Sequence, residues 1–290
     1  MDVTVIGHGS LMSGLGLSSS GTFRVRHASI VSLAACRRGF AKLSRYGDRF
    51  ATDLEVTKLP LEGHLVLPTT PPNGEVEALA LTVLLDDLYQ LAKREGYSPA
   101  AAQRLAELAQ AHGVNLAAFL WQIDAETEHD VVAYRRRLFA LTGFTSSHYI
   151  PHPVRLVEAG YALTFLAPGF EGTGADDVIS VRQETGIHTL MSTREAWQRK
   201  PNEDQLAYFL SCLLGGVHGI GIHDLLASIS EEPALAEELT RRIKQTMEKE
   251  QACFLTTLGL TPEDYQCSFG KPESALVRSG LGAFLNGGLL

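Results

Sequence analysis

The sequence predicts an α+β protein, because strand-like and helix-like segments occur in separate blocks along the chain. Strand patterns dominate the first third, helical patterns the middle, and a second group of strands precedes a helical C-terminal part. Regular alternation of strands and helices would instead predict a doubly wound parallel sheet. We expect a single domain over residues 1–290, with a helical insertion at about 98–145 and a helical extension at about 230–290.

The strands of the first third are indicated by β-branched and apolar runs that lie between turn residues. The chain opens with Val3-Thr4-Val5-Ile6, and a proline-rich loop at 68–74 separates two later runs. The strands predicted in this part are 3–6, 23–33, 38–43, 64–67 and 78–85.

Helix signals begin where the strand at 78–85 ends. Asp86 favours a first helical turn and Gly96 a helix end, while Ser98 and Pro99 are typical of an N-cap and a first helical position. Helices are predicted at 86–95, 99–113, about 116–141, 202–216, about 230–259 and from 261, and strands at 154–157, 161–166 and 178–181. A flexible loop is predicted at 169–174, and the tail at 280–290 either docks on the body or frays.

Composition restricts the class of partner. A net charge of −8 and a pI near 5.7 argue against nucleic acid or an anionic membrane as the main partner. No apolar run of about 20 residues occurs, so no membrane span is expected. Because the N-terminus lacks a basic leader and the four cysteines lack CxxC spacing, we expect a cytoplasmic protein with free, buried thiols. The oligomeric state stays open, a homodimer included.

The most informative segment is Gly7-His8-Gly9-Ser10-Leu11-Met12, called here the opening turn. It could begin a dinucleotide-binding loop, although Met12 takes the place of the third glycine. It could present Ser10 as a nucleophile, although the flanking glycines of that motif are replaced by His8 and Met12. It could also form a concavity of backbone amides that binds a carboxylate or an oxyanion, with the remaining chemistry supplied from elsewhere.

The opening turn resembles the signature turn of the γ-glutamylcyclotransferase superfamily, usually Gly-Tyr-Gly-Ser-Leu or Gly-Tyr-Gly-Ser-Asn. Cys36-Arg37-Arg38-Gly39-Phe40 is similar to the Arg-Arg-x-Phe stretch of the ChaC-like branch, and 79–97 is similar to the family's strand and helix that end in Glu-Gly-Tyr. The segment 204–226, with Tyr208 near its start, is similar to a later helix of the family. His8 stands where tyrosine is usual, and the resemblance does not extend to 98–150 or to the C-terminal helices. The chain would therefore be an enlarged, divergent member.

The resemblance implies a mixed, partly closed, barrel-like sheet with flanking helices, and an enzyme that needs no metal or organic cofactor. It implies that the α-amine of a γ-glutamyl substrate attacks the substrate's own γ-carbonyl and releases 5-oxoproline. Glu95 takes the role of the general acid/base. The implied substrate-binding residues are Gly7, His8, Gly9, Ser10, Leu11, Met12, Arg38, Tyr97 and Tyr208.

The residues alone leave other interpretations open. Glu95 could be a solvated charge, although a carboxylate is unfavourable at the negative end of a helix dipole. The protein could instead transfer a γ-glutamyl or related acyl group to an acceptor, or bind a small molecule without catalysis. Further candidates are Arg37 for a substrate carboxylate, Asp53, Glu55 and Glu77 as support for Glu95, His148 with His152 or His218 with His223 as metal ligands, and 135–137 as a solvated or substrate-binding basic cluster.

Overall fold

The computed structural model describes residues 2–18, 23–34, 37–43, 61–66, 75–95, 97–128, 130–144, 150–158, 160–166, 178–182, 188–192, 203–230 and 232–287. Several predictions concern residues outside these ranges. They are the loops at 68–74 and 169–174, and the residues Cys36, Asp53, Glu55, Gly96 and His148.

The prediction of an α+β fold is confirmed, and its centre is a mixed sheet. The strands are β1 (Asp2–Gly7), β2 (Val25–Ala34), β5 (Glu75–Leu84), β6 (Ile150–Arg155) and β7 (Tyr161–Leu166). Their order is β2-β5-β1-β7-β6, with β1 antiparallel to β5 and parallel to β7. Since β1 lies in the middle, the opening turn at its carboxyl end is surrounded by neighbouring elements.

Two further antiparallel strand pairs form separate two-stranded sheets. One pairs β3 (Arg37–Leu43) with β4 (Leu61–Val66), and the other pairs β8 (Val178–Arg182) with β9 (His188–Ser192). The predicted strands at 38–43 and 178–181 are therefore confirmed as strands, as is the described part, 64–66, of the strand predicted at 64–67.

The sheet is not closed, which is a mild departure from the expected partly closed, barrel-like sheet. Its edge strands β2 and β6 meet, within the described residues, at one antiparallel bridge between Leu33 and Leu156. The N–H of Val157 also donates to the carbonyl of Ser32 at 2.9 Å. Further pairing along β6 is limited because Pro151 and Pro153 have no N–H to donate, which suits an edge strand.

The first helices follow the opening strand and β5. They are α1 (Gly14–Ser18), α2 (Leu85–Arg94), α3 (Pro99–His112), α4 (Leu116–Glu126) and α5 (Val131–Thr142). The predicted helices at 86–95 and 99–113 are confirmed, and the Ser98 side chain accepts the N–H of Ala101 as an N-cap. Because α2 follows β5 without a loop, the sheet fixes the position of Glu95, which directly follows the helix as its C-cap.

The single helix predicted at 116–141 is wrong, since the chain turns between α4 and α5. The hydroxyl of Thr127 bonds back to the carbonyls of Ile123 and Asp124, and Glu128 takes a positive φ of 52°. The carboxylate of Asp130 then caps α5 by accepting the N–H of Ala133 at 2.6 Å. Local side-chain hydrogen bonds therefore end one amphipathic segment and begin another.

The C-terminal part is helical, as predicted. It contains α6 (Glu203–Leu213), α7 (His223–Ser230), α8 (Pro233–Leu258), α9 (Pro262–Phe269), α10 (Pro272–Arg278) and α11 (Leu281–Leu285). Ser230 ends α7 rather than beginning α8, and Pro233 occupies the first turn of α8. Buried Leu281 and Phe284 show that the described part of the tail docks on the body.

The core runs along both sides of the central strands, where Val5, Leu79, Leu81 and Leu163 are fully buried. Among the described helices, none has the length and apolar character needed to cross a bilayer. The described cysteines are free, and Cys267 is exposed, which corrects the expectation that every thiol is buried.

Candidate functional site

The opening turn contains a short 3-10 helix, Ser10–Met12, whose path requires glycine before it and after it. A Cβ on Gly7 would lie 2.6 Å from the Cβ of Leu11, and one on Gly16 would lie 1.8 Å from the carbonyl oxygen of Ser10. Both positions allow the backbone of neighbouring segments to approach closely. The glycines of β1 and α1 therefore serve the tight packing of this turn.

Glu250 holds the chain directly after the opening turn. Its carboxylate is fully buried on α8 and accepts the N–H groups of Gly14 and Leu15, the second at 2.9 Å. The Nε2 of His218 lies 2.8 Å from the same carboxylate, and its Nδ1 lies 3.0 Å from the hydroxyl of Tyr265. We call Glu250, His218 and Tyr265 the Glu250 network.

The protonation states in the Glu250 network follow from burial. Desolvation lowers the pKa of His218 below its usual range, against the opposing effect of Glu250. Desolvation, followed by the charge of Glu250, raises the pKa of Tyr265 to about 12. A neutral imidazole that accepts from Tyr265 and donates to Glu250 satisfies all three side chains.

Arg38 holds the opening turn from a second side. Its guanidinium makes a two-armed ion pair with Asp224, at 3.0 and 2.7 Å, and donates to the carbonyl oxygens of Glu77 and Gly221. It also reaches the carbonyl oxygen of His8 at 3.4 Å and the sulfur of Met12 at 3.1 Å. With a side chain that is 0% exposed, Arg38 has protein partners where the sequence suggested a substrate carboxylate.

A half-open cavity lies on the other side of the turn, and it joins distant parts of the sequence. Glu95 from the end of α2, the opening turn and Tyr208 from α6 all line it. Its lining residues are Ile6, His8, Gly9, Ser10, Leu11, Arg94, Glu95, Phe165 and Tyr208. The structure therefore brings together most of the residues that the sequence suggested, whereas Gly7, Met12, Arg38 and Tyr97 are not among those lining residues.

Glu95 is a half-buried ion-paired group rather than a solvated charge at a helix end. Its carboxylate pairs with the guanidinium of Arg94, which also donates to the hydroxyl of Ser10 at 2.9 Å and to the carbonyl oxygen of Gly16 at 3.2 Å. The side chains of Glu95 and Arg94 are 14% and 18% exposed. The pair can therefore be reached from solvent through the cavity.

Tyr97 lies behind the wall of the cavity. Its ring packs edge-on against Phe165, with 5.5 Å between ring centroids, and against Phe144. Its hydroxyl is buried and has no hydrogen-bond partner among the described residues. Burial, and then the negative charge of Glu95, raises the pKa of Tyr97 well above its usual value, so the hydroxyl keeps its proton.

His8 contributes a titratable ring to the cavity, at the position where the resembling family has tyrosine. Its Nδ1 lies 3.4 Å from the hydroxyl of Thr164, which is also 3.4 Å from the carbonyl oxygen of Ile6. If Thr164 donates to that carbonyl, its oxygen accepts the Nδ1–H of His8. The strand pairing beside β1 thus orients the ring.

The remaining candidates lie elsewhere. The carboxylate of Glu77 accepts the N–H of Gly221 at 2.7 Å, and buried His152 has its Nε2 3.1 Å from Asp124. His223 is exposed, and the side chains of 135–137 are exposed on α5. Within the described residues, no group of three or more His, Cys, Asp or Glu side chains is arranged to hold a metal ion.

Sequence reasoning missed Arg94 and Glu250, and it considered His218 only as a metal ligand with His223, whereas the structure places it in the Glu250 network. For Arg94 a signal existed, because it directly precedes Glu95 at the same helix end. Glu250 carries no local signal, since it lies 236 residues from the amide of Gly14 that it accepts.

No family model matches this chain, and no curated protein matches it. The case for a function therefore depends on the geometry of the cavity: a half-buried carboxylate, a cationic neighbour and a backbone turn that face the same small space.

Proposed function

We propose that the protein is a γ-glutamylcyclotransferase-type enzyme that converts a γ-glutamyl amide into 5-oxoproline and a free amine. The observation that supports this proposal is that Glu95 and the opening turn, which are more than 80 residues apart in the chain, line one cavity. Cyclisation needs one group that moves protons and one group that stabilises charge on the attacked carbonyl, and both must reach the same substrate.

Glu95 serves as the proton carrier in this proposal. Its carboxylate takes a proton from the α-ammonium of the substrate, and the amine then attacks the γ-carbonyl carbon. The new C–N bond forms as the old γ C–N bond breaks. Glu95 returns its proton to the leaving nitrogen, and the remaining extra proton of the ring nitrogen goes to the released amine.

The opening turn serves the other end of the reaction. The backbone amides of Gly9, Ser10 and Leu11 receive the charge that develops on the carbonyl oxygen or the charge of the α-carboxylate. In established systems, removal of one such donor costs about 2.7–4 kcal/mol of transition-state stabilisation. Holding the substrate in the geometry for cyclisation contributes further, since good orientation lowers the barrier of an intramolecular reaction by about 7–11 kcal/mol.

The test is the release of 5-oxoproline from a panel of γ-glutamyl amines and peptides. We expect Glu95→Gln to lower kcat by about 10²- to 10⁴-fold, because the amide cannot carry the proton. Glu107→Gln is the matched control, because Glu107 pairs with Arg104 on the exposed side of α3. Turnover by Glu95→Gln equal to that of the parent contradicts the proposal.

The products separate the other interpretations. Acyl transfer would give a product whose mass contains an added acceptor, whereas cyclisation needs none. A binding protein would be stabilised by γ-glutamyl compounds against thermal unfolding without forming any product.

A further inference from the structure

Arg94 lies between the two halves of the proposed site. One arm of its guanidinium faces the carboxylate of Glu95, and the other faces the hydroxyl of Ser10 in the opening turn. The backbone carbonyl of Gly16 accepts a further N–H and keeps the side chain over the turn. Arg94 therefore sits where a substrate that reaches both Glu95 and the turn must also lie.

In this state Arg94 competes with the substrate ammonium for the carboxylate of Glu95. An arginine side chain stays protonated, so Arg94 holds one carboxylate oxygen of Glu95 through a charge-assisted hydrogen bond. The cavity itself has a volume of about 30 Å³, which suits water-sized groups. A γ-glutamyl group is larger than this space, so lining side chains must move to admit it, and Arg94 and Glu95 are among them.

The α-carbon of a γ-glutamyl compound carries the two charges that would separate this pair. Its carboxylate matches the planar guanidinium of Arg94, and its ammonium matches the carboxylate of Glu95. One ion pair within the protein would be replaced by two ion pairs with the substrate. The exchange would leave Glu95 in contact with the nitrogen that must lose a proton.

We propose that Arg94 is the residue that recognises the free α-carboxylate of the substrate, and that this carboxylate displaces Glu95 from the guanidinium. This inference rests on the proposed function and deepens it. It assigns the amides of the opening turn to the carbonyl oxygen, and it restricts the substrates to γ-glutamyl compounds whose α-carboxylate is unmodified.

The experiment uses a probe that cannot cyclise. N-methylglutaramate has the carboxylate and the amide of a γ-glutamyl compound but no α-amine, so its binding does not depend on turnover. N-methylglutaramide, in which the carboxylate is also an amide, is the neutral control probe. Both are titrated by calorimetry into the parent, Arg94→Gln and Glu95→Gln proteins.

The exchange predicts opposite effects for the two neighbouring substitutions. We expect Arg94→Gln to weaken binding of N-methylglutaramate about tenfold or more, because a charge-assisted hydrogen bond is lost. We expect Glu95→Gln to tighten it by about two- to fivefold, because the competing ion pair no longer has to be broken. The neutral probe should bind equally to all three proteins.

Three control variants keep the result interpretable. Arg94→Lys retains the cation and should restore part of the affinity, which separates lost charge from a disturbed turn. Arg104→Gln and Glu107→Gln remove the exposed pair on α3 and should leave both probes unaffected. Thermal unfolding of each variant shows whether the fold is retained.

The proposal is overturned if N-methylglutaramate binds equally to the parent, Arg94→Gln and Glu95→Gln, or if Glu95→Gln weakens its binding. Failure of the proposed function looks different. A parent protein that releases no 5-oxoproline and still shows the opposite effects would contradict cyclisation and retain Arg94 as the carboxylate-binding residue.

Discussion

Charged side chains lie on both sides of the opening turn, but they differ in solvent exposure and in their hydrogen-bond partners. On one side, Arg38, His218 and Glu250 have side chains that are 0% exposed, and they find their partners inside the protein. On the cavity side, the Arg94 and Glu95 side chains are 18% and 14% exposed. The buried hydroxyl of Tyr97 behind that cavity has no partner among the described residues.

This difference separates scaffold from site. A buried charge whose hydrogen bonds are all made is costly to disturb and has nothing left to offer a ligand. A partly exposed ion pair can exchange partners, because solvent and a ligand can reach it. An arginine–carboxylate pair by itself therefore does not mark a binding site. The two sides of the turn differ in how far the paired side chains are exposed and in whether all their hydrogen bonds are made within the protein.

The largest effect that would test this comparison is on stability. We expect Arg38→Met to lower the free energy of unfolding by about 3–5 kcal/mol, since it removes the ion-pair partner that Asp224 has in Arg38 and the donor to the carbonyl groups of Glu77 and Gly221. The matched control is Arg24→Met, because Arg24 pairs with Asp87 while its own side chain is 74% exposed. That pair should contribute about 1 kcal/mol or less. Urea unfolding measures both, and equal losses would contradict the comparison.

The Glu250 network should make stability depend on pH. Because the pKa of His218 is lowered in the folded protein, the unfolded chain binds more protons below about pH 6.5. The stabilisation is therefore complete above that pH and falls as the pH drops towards the folded-state pKa, by up to about 1.4 kcal/mol per pH unit.

The check is the slope of unfolding free energy against pH between 7 and 5. His218→Gln should flatten the slope, whereas His27→Gln, a change to an exposed residue of β2, should not. An unchanged slope in His218→Gln would show that the buried imidazole does not control it.

Tyr97→Phe tests the cavity side. Because the hydroxyl makes no hydrogen bond with the described residues, its removal should leave the unfolding free energy unchanged or slightly increased. Tyr134→Phe is the contrast, since the Tyr134 hydroxyl donates to the carbonyl of Pro151 at 2.7 Å and its loss should be destabilising.

The smallest effect is expected at Glu238, on the exposed face of α8. Hydrogen bonds from Arg241 and Arg242 lower the pKa of Glu238 to about 2, yet the side chain of Glu238 is partly exposed to solvent. We expect Glu238→Ala to change neither the melting temperature nor 5-oxoproline release measurably. A clear loss of activity would contradict the comparison, because a residue with a shifted pKa but no place in the cavity would then contribute to function.

The prediction from sequence was most successful where the signals are local. The helices at 99–112 and 262–269 carry their N-caps in the sequence, and the structure contains both caps. The single helix predicted at 116–141 failed because apolar periodicity continued through the turn at Thr127, where side-chain hydrogen bonds end the helix.

The candidate site shows the same division. The opening turn and the end of α2 could be singled out because unusual residues follow each other within a few positions. Arg38 could be singled out as well, but its interaction with Asp224 could not, since 186 residues separate the two. Whether an arginine faces a ligand or the interior depends on such distant partners.

The amino-acid sequence by itself determined an α+β chain with a glycine-containing turn after its first strand and a carboxylate at the end of a helix. Only the tertiary structure decided that the turn and the carboxylate line one cavity, that Arg94 joins them, and that Arg38 and Glu250 support the turn from behind. The physical reason is that periodicity and capping act over a few residues, whereas hydrogen bonds and burial at this site join segments that only folding brings together.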